Sequence, residues 1–335
     1  MNRIAKWDNL KAVLVYLVIL GHIVDYFTKD SVNMRRIFLF IYIFHMPCFL
    51  FISGLFSKRN IDERRYYKMF SYLVMYLFIK VLIWLVNVWI EGDTSFSLLT
   101  ESSIPWYVFA LFVFSLITVF LKQIDCRWVM VFVVILGCMA GYDRKLNDTL
   151  VGLRILVYYP FFYAGYLCDR AKLEKITDSR KLRILSVILL VILMVVVYSQ
   201  NDHIYWLRPL LTGRNGYKKL GEWANYGFLL RLCYYLLVAI TVLAVIAVVP
   251  KYRIPMITKL GQRSFQIYAL HAVFIKFFLF GLKGEELLKG ISSRYQILLF
   301  ILFSMLIMLL CSFGWIEKIL RVIIYPKMQK EKEIK

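Results

Sequence analysis

Apolar residues fill this chain in long blocks separated by short polar breaks. Ten blocks stand out, at 10–27, 37–56, 70–90, 105–121, 128–141, 151–168, 182–198, 226–249, 264–280 and 296–316. A helix needs about 20 apolar residues to cross roughly 30 Å of hydrocarbon. The pattern therefore predicts an all-α integral membrane protein, a polytopic bundle of about ten transmembrane helices in a single domain over residues 1–335. The fifth block is short enough to be tilted or re-entrant, and the last should continue as an amphipathic helix through Tyr325. The first block is longer than the apolar part of a signal peptide and lacks a small-residue cleavage site, so it is expected to stay as the first span.

Polar positions inside the first block follow a rule. Asp8, Lys11, Val15, Val18, His22 and Asp25 are spaced by threes and fours, which places all six on one helix face. Leu10, Val13, Leu14, Leu17 and Leu20 cover the other sides. Lys11 and His22 lie eleven positions apart, roughly 16 Å along a helix axis. An ionisable group in hydrocarbon costs several kcal/mol, roughly 2.5–3.5 on insertion scales, so such a stripe points to function. Lys80, mid-way through the third block, should also face the interior.

Charge then sets orientation. The chain is 61% hydrophobic, yet its net charge is +21. The positives cluster in alternate loops: Lys58, Arg59, Arg64, Arg65 and Lys68; then Arg170 to Arg183; then Lys251, Arg253, Lys259 and Arg263; then the C-terminal tail. With ten spans these fall on the side of Arg3 and Lys6, so both termini are expected in the cytoplasm. Basic loops of this kind contact lipid head groups, and with no separate basic module nucleic-acid binding is excluded. The six cysteines form no CxxC pair and imply neither a disulfide framework nor a zinc site.

Three of the four histidines, His22, His45 and His271, fall inside apolar blocks. By residue count His22 lies roughly 18 Å and His45 roughly 16 Å from the cytoplasmic side, so the two could meet if the first two helices pair; His271 should sit lower, at about 10 Å. Such a pair could be a base with its orienting partner, a proton relay or part of a metal site, though no third ligand supports a metal. A histidine bonded to a backbone carbonyl is the structural alternative for His45 and His271. Pro47 should free the carbonyl of Ile43, and Ser53-Gly54 should admit either a close helix or a ligand. The loop 199–225, with His203, Trp206, Arg208, Arg214, Asn215, Tyr217, Trp223 and Asn225, suits either a sugar site or an interfacial aromatic belt.

Several stretches together resemble one family. DNLKAVLVYLVILGH carries a basic residue, ten intervening residues and a histidine, at Lys11 and His22. FHMPCFLFISGLF carries His45, Pro47, Ser53 and Gly54; SIPWYVFALF carries Trp106 and Tyr107; YYPFFYAGYL follows Arg154; and LGQRSFQIYALH carries Gly261, Ser264, Tyr268 and His271. In this order they resemble the membrane acyltransferase 3 family, and within it the fucose 4-O-acetylase-like subgroup of polysaccharide modification. Two features depart from that pattern: the basic residue is Lys where Arg is also common, and Arg64-Arg65 match the family's paired arginines only loosely. No hydrolase-like extension follows the last block, so the likeness is to a stand-alone version.

The resemblance implies an O-acyltransferase of the bacterial cytoplasmic membrane, moving an acyl group, in the usual case acetyl from cytoplasmic acetyl-CoA, to a hydroxyl of a cell-envelope glycan or lipid-linked sugar. No bound cofactor is expected. The implied partners are acyl-CoA, the glycan or glycolipid acceptor, membrane lipids and, where the protein self-associates, a second copy of the chain. On this reading His22 is the base, with Asp25 orienting it and His45 assisting, although Asp25 could equally be a plain interfacial carboxylate. Lys11, Ser53 and Ser264 would meet the donor; Trp106, Tyr107 and Arg154 the acceptor; Tyr268 and His271 are further candidates. Direct transfer and an acyl-histidine intermediate stay open. The competing reading is an exporter of a surface glycan or lipid-linked sugar, with the buried His and Lys forming its path.

Overall fold

The computed structural model describes residues 4–98, 104–143, 146, 150–200, 203–289 and 291–324, so Arg3, Tyr325 and the basic tail lie outside the described residues. Every regular element among them is helical: α1 Ala5–Tyr26, α2 Val32–Asp62, α3 Tyr67–Glu91, α4 Trp106–Leu121, α5 Cys126–Met139, α6 Gly152–Leu167, α7 Arg170–Thr177, α8 Arg180–Ser199, α9 Arg208–Thr212, α10 Gly227–Val248, α11 Pro255–Gln262, α12 Ser264–Lys276, α13 Gly284–Lys289, α14 Ser293–Leu310 and α15 Gly314–Ile324. A helix lies under each of the ten apolar blocks. By length and composition, however, six helices among the described residues are fit to cross a membrane, or seven if the bent pair α14–α15 counts as one span. The difference from ten comes from the short helices. α4 and α6 have 16 residues and α5 has 14, roughly 21–24 Å of helix against roughly 30 Å of hydrocarbon.

The last block also differs from a continuous helix, because α14 and α15 meet at 58°. The cause is α12. Gln266 donates to the carbonyls of Cys311 and Phe313 at 2.6 and 2.9 Å, and Arg263 donates to that of Ser312 at 2.6 Å. Side chains thus take the carbonyls that a continuing helix would have used.

α1 and α2 form the centre, and α8 lies at the edge with Leu185 61% exposed. A close crossing joins α2 to α6. A Cβ on Gly54 would stand 1.9 Å from the carbonyl oxygen of Phe162, and one on Gly165 would stand 1.9 Å from that of Phe51. Only glycine permits that approach, so the small surface at Ser53-Gly54 receives a helix. Pro47 acts as expected: it leaves the Ile43 carbonyl without its helical donor, and the Tyr234 hydroxyl reaches it at 3.4 Å.

The start of α1 is pinned by the segments around α7 and α11. Lys6 Nζ donates to Thr177 Oγ1 at 2.7 Å and Asp178 Oδ1 at 3.1 Å. The Asn9 amide donates to the carbonyls of Pro250 and Tyr252 at 2.9 and 3.0 Å, and accepts from Thr258 Oγ1 at 2.6 Å. A Cβ on Gly261 would fall 1.7 Å from the Asp8 carbonyl oxygen, so the start of α12 is set against the Asp8 level of α1.

Candidate active site

The other end of α1 opens into a cavity of about 1180 Å³. His22 and Asp25 line it from α1, Tyr42 and His45 from α2, Trp106 from α4, and Arg154 and Tyr158 from α6. The segment 205–215 and the last turn of α12 complete the wall.

Three histidines meet at its inner end. His22 and His45 both face the cavity, and the His271 ring lies 5.4 Å from that of His22, centroid to centroid. His271 therefore sits higher than its position in the apolar block implies. α12 does not start at a membrane surface; Gly261 against Asp8 launches it from a level that α1 has already reached.

Hydrogen bonds select the tautomers. His45 Nδ1 lies 2.8 Å from the carbonyl oxygen of Ile41, and His271 Nδ1 lies 2.7 Å from that of Tyr268. A carbonyl only accepts, so each Nδ1 carries the hydrogen, and in a neutral ring each Nε2 is left with a lone pair. The carbonyl-bonded histidine expected as a structural alternative is thus present at both positions, but the second nitrogen stays available at each. His271 is fully buried, and its Nε2 has no hydrogen-bond partner among the described residues. A buried acceptor in that state costs stability, about 1–3 kcal/mol, unless something donates to it.

Asp25 is placed differently from its expected role as the orienter of His22. Its carboxylate lies 2.7 Å from Arg208 Nη2, whose guanidinium also donates to Thr28 Oγ1 at 3.1 Å and to the Tyr205 hydroxyl. The stripe on α1 is read correctly as one face, but its last carboxylate is taken by the first residue of α9, 183 positions away. Beside it, Tyr42 packs edge-on to His45 with centroids 4.7 Å apart.

The acceptor candidates divide. Trp106 lines the cavity; Arg154 lies over its ring at 5.0 Å, and Tyr158 stacks on it at 5.3 Å. Tyr107 turns away and donates to Ser53 Oγ at 2.7 Å, since that hydroxyl spends its own hydrogen on the Phe49 carbonyl at 2.8 Å. Ser53 and Tyr107, assigned from the sequence to different substrates, therefore bond to each other. Tyr268 donates to the carbonyl of Ile104 and supplies the carbonyl that fixes His271.

None of the residues assigned to the donor lines the cavity. Lys11 pairs with Asp8 at 3.2 Å and lies over the Phe56 ring at 5.1 Å, while Ser264 is buried at the start of α12. Lys80 is buried as expected and donates to the Tyr76 hydroxyl at 3.0 Å. Among the described residues no three His, Cys, Asp or Glu side chains converge as a metal site would require.

The sequence marks the loop 199–225 as a sugar site or an interfacial aromatic belt without separating the residues that enter the site from those that do not. Arg208, Arg214 and Asn215 enter the cavity; Trp206 and Trp223 stack on each other at 5.5 Å; Tyr217 is buried and donates to the Cys138 carbonyl at 2.8 Å; His203 is exposed. Gly213 makes the turn that aims Arg214, with φ +58° and a Cβ position only 2.9 Å from the Tyr158 ring.

Comparison with known proteins agrees with the motifs. No solved structure matches the chain. Two curated relatives do: the Nodulation protein NolL of Mesorhizobium japonicum, 28% identical over 182 residues, and that of Sinorhizobium fredii, 27% identical over 184. Each alignment takes in 50% of this chain, and the chain spans about half the length of these relatives, 48% and 49%. The broader match is to a family model described as an acyltransferase domain, which aligns with residues 4–315. With that span taking in α1 to the start of α15, the chain belongs to the acyltransferase 3 family.

Proposed function

We propose that the protein is an integral-membrane O-acyltransferase that moves an acyl group, acetyl in the first instance, from cytoplasmic acyl-CoA to a hydroxyl of a cell-envelope glycan or lipid-linked sugar. The observation that carries this reading is the cavity itself, which holds His22 and His45 at its inner end, Trp106 on its wall and room for a sugar. Family membership supplies the reaction class. The relatives' name ties them to nodulation and is not carried over to this chain.

His22 would take the acceptor's proton. The hydroxyl oxygen attacks the thioester carbonyl as its proton moves to the imidazole, the carbon–sulfur bond breaks, and the imidazolium returns the proton to the departing thiolate. His271 suits the orienting role that Asp25 does not fill. With Nδ1 held by Tyr268, its Nε2 is an acceptor beside His22, able to fix which nitrogen of His22 carries hydrogen. His45 presents a second lone pair to the same space, and Trp106 with Tyr158 offers aromatic faces to the sugar. Lys11 remains the candidate for the donor phosphates, reached from the end of α1 opposite the cavity.

Ten spans with both termini in the cytoplasm, in the cytoplasmic membrane of a bacterium, is the arrangement this mechanism uses. It is supported by the contacts at the start of α1, where segments that the charge pattern puts in the cytoplasm, around Asp178 and residues 250–262, gather beside Lys6 and Asn9.

The test is transfer of label. Purified protein in liposomes, given radiolabelled acetyl-CoA and envelope glycan or glycolipid from the producing cells, should label the acceptor, and His22→Ala should abolish it. Label transferred equally well by His22→Ala would reject His22 as the base. Absence of transfer to any envelope fraction would reject the enzyme. Lys11→Ala should raise KM for the donor more than for the acceptor.

A further inference from the structure

The cavity has a charge that acyl transfer to a neutral sugar does not explain. Six cationic side chains line it: Lys29, Arg35, Arg154, Arg208, Arg214 and Lys276. Asp25 and Asp30 are its carboxylates; Asp25 is already matched by Arg208, and Lys276 is held by the Asn87 amide and, at 3.8 Å, by Glu91. A concave wall of this sign concentrates anions and holds them more strongly than open water allows.

Position gives the charge its meaning. Arg35 is held at the rim by the carbonyls of Thr28 and Lys29, at 2.6 and 3.0 Å. Arg208 stands at the level of Asp25, three residues along α1 from His22, or roughly 4.5 Å of rise. Arg214 comes in on the Gly213 turn, on the same segment. Arg35, Arg208 and Arg214 therefore gather on the side of the cavity about one sugar residue above the candidate base, while Arg154 lies lower, over Trp106. Guanidinium forks match phosphate oxygens in pairs. Their excess over carboxylates suits the two or more charges of a phosphate or diphosphate better than the single charge of a uronic acid.

Resting on the acyltransferase reading of this site, we propose that the acceptor is a phosphorylated sugar, held by its phosphate or diphosphate at the Arg35–Arg208–Arg214 rim with the acylated hydroxyl at His22. The phosphate could belong to a prenyl-linked sugar at the membrane surface or to a soluble sugar phosphate. Both present the same group to the rim.

Binding separates this from the activity. Protein in nanodiscs is titrated with three radiolabelled probes carrying one monosaccharide: prenyl diphosphate-linked, as the soluble 1-phosphate, and unphosphorylated. The phosphorylated probes should bind at least tenfold tighter than the neutral sugar, and the advantage should shrink as salt is raised. Arg214→Gln and Lys29→Gln should each weaken the phosphorylated probes several-fold while leaving the neutral sugar unchanged, with thermal unfolding in detergent confirming that both variants fold. Tight binding of both phosphorylated probes, or of the prenyl-linked one alone, supports the proposal, and the contrast tells whether the lipid is also recognised. Equal binding of all three probes overturns it, as does competitive displacement of the phosphorylated probes by CoA, which would assign the rim to the donor. Acyl transfer to a neutral sugar without phosphate preference would sink this inference and leave the enzyme standing. Phosphate-dependent binding with no transfer to any acceptor would do the reverse.

Discussion

In the first half of α1, Lys6, Asp8, Asn9 and Lys11 are each engaged by neighbours, and Gly261 sits where no side chain would fit. In the second half, His22 and Asp25 face a cavity of about 1180 Å³. The two halves carry similar polar groups on one helix, yet one set closes a joint and the other opens a site. Polar residues in a membrane helix thus have two uses that composition does not separate. What separates them is whether their hydrogen bonds are spent inside the protein. The Asn9 amide bonds to two carbonyls and a hydroxyl, whereas the histidines near the cavity bind backbone through Nδ1 alone or line open space.

The largest effect should come from the open half. His22→Ala is expected to lower acyl transfer by about 10²–10⁴-fold, the range for loss of a positioned base, with unfolding temperature in detergent near that of the parent. A stable protein with near-normal turnover would move catalysis elsewhere. The closed half should answer in the opposite way. Gly261→Val puts a branched side chain against the Asp8 carbonyl and should cost about 3 kcal/mol or more, seen as loss of folded protein on size-exclusion chromatography. Normal yield and melting would mean that the α11–α12 corner can move away from α1.

How far this contrast could be read beforehand depends on distance along the chain. The stripe on α1 follows from local spacing, as do the helices under the ten apolar blocks and the freed carbonyl at Pro47. The partner of Asp25 could not, because nothing in the spacing of residues 199–225 aims Arg208 at α1. His271 was misplaced in depth for a related reason: residue counting assumes a helix that begins at the surface, and Gly261 reveals its close approach only once Asp8 is seen beside it. Gly54 was open to two meanings until Gly165 appeared opposite. Local periodicity reports which face of a helix is polar, and only tertiary contacts report what that face meets.

A milder change tests whether the closed half is structural alone. Asn9→Ala removes three hydrogen bonds and leaves the carbonyls of Pro250 and Tyr252 to find other donors. It should lower stability by about 2 kcal/mol. Turnover per folded molecule should stay within about twofold of the parent, because Asn9 lies nearly four turns from His22. A selective loss of kcat without destabilisation would show that the joint transmits to the site and is more than an anchor.

The smallest effect concerns acid. Lys6 and Lys251 stand 3.1 and 3.4 Å from the two carboxylate oxygens of Asp178. Burial works to raise this carboxyl, but the hydrogen bond and charge of Lys6, backed by Lys251, hold it below its ordinary value. A carboxyl depressed on folding contributes stability above its unfolded value of about 3.9, and that contribution is lost as pH falls through the folded one. Melting temperature should therefore carry the full contribution of this pair, without pH dependence, between pH 7 and 5 and begin to lose it below about pH 4. Asp178→Asn, which cannot titrate, should melt roughly 1–2 °C lower than the parent at pH 7, as expected for a partly exposed pair, and the gap should close in acid. A gap that persists unchanged at pH 3 would mean that the charge on Asp178 is not what fastens the start of α1.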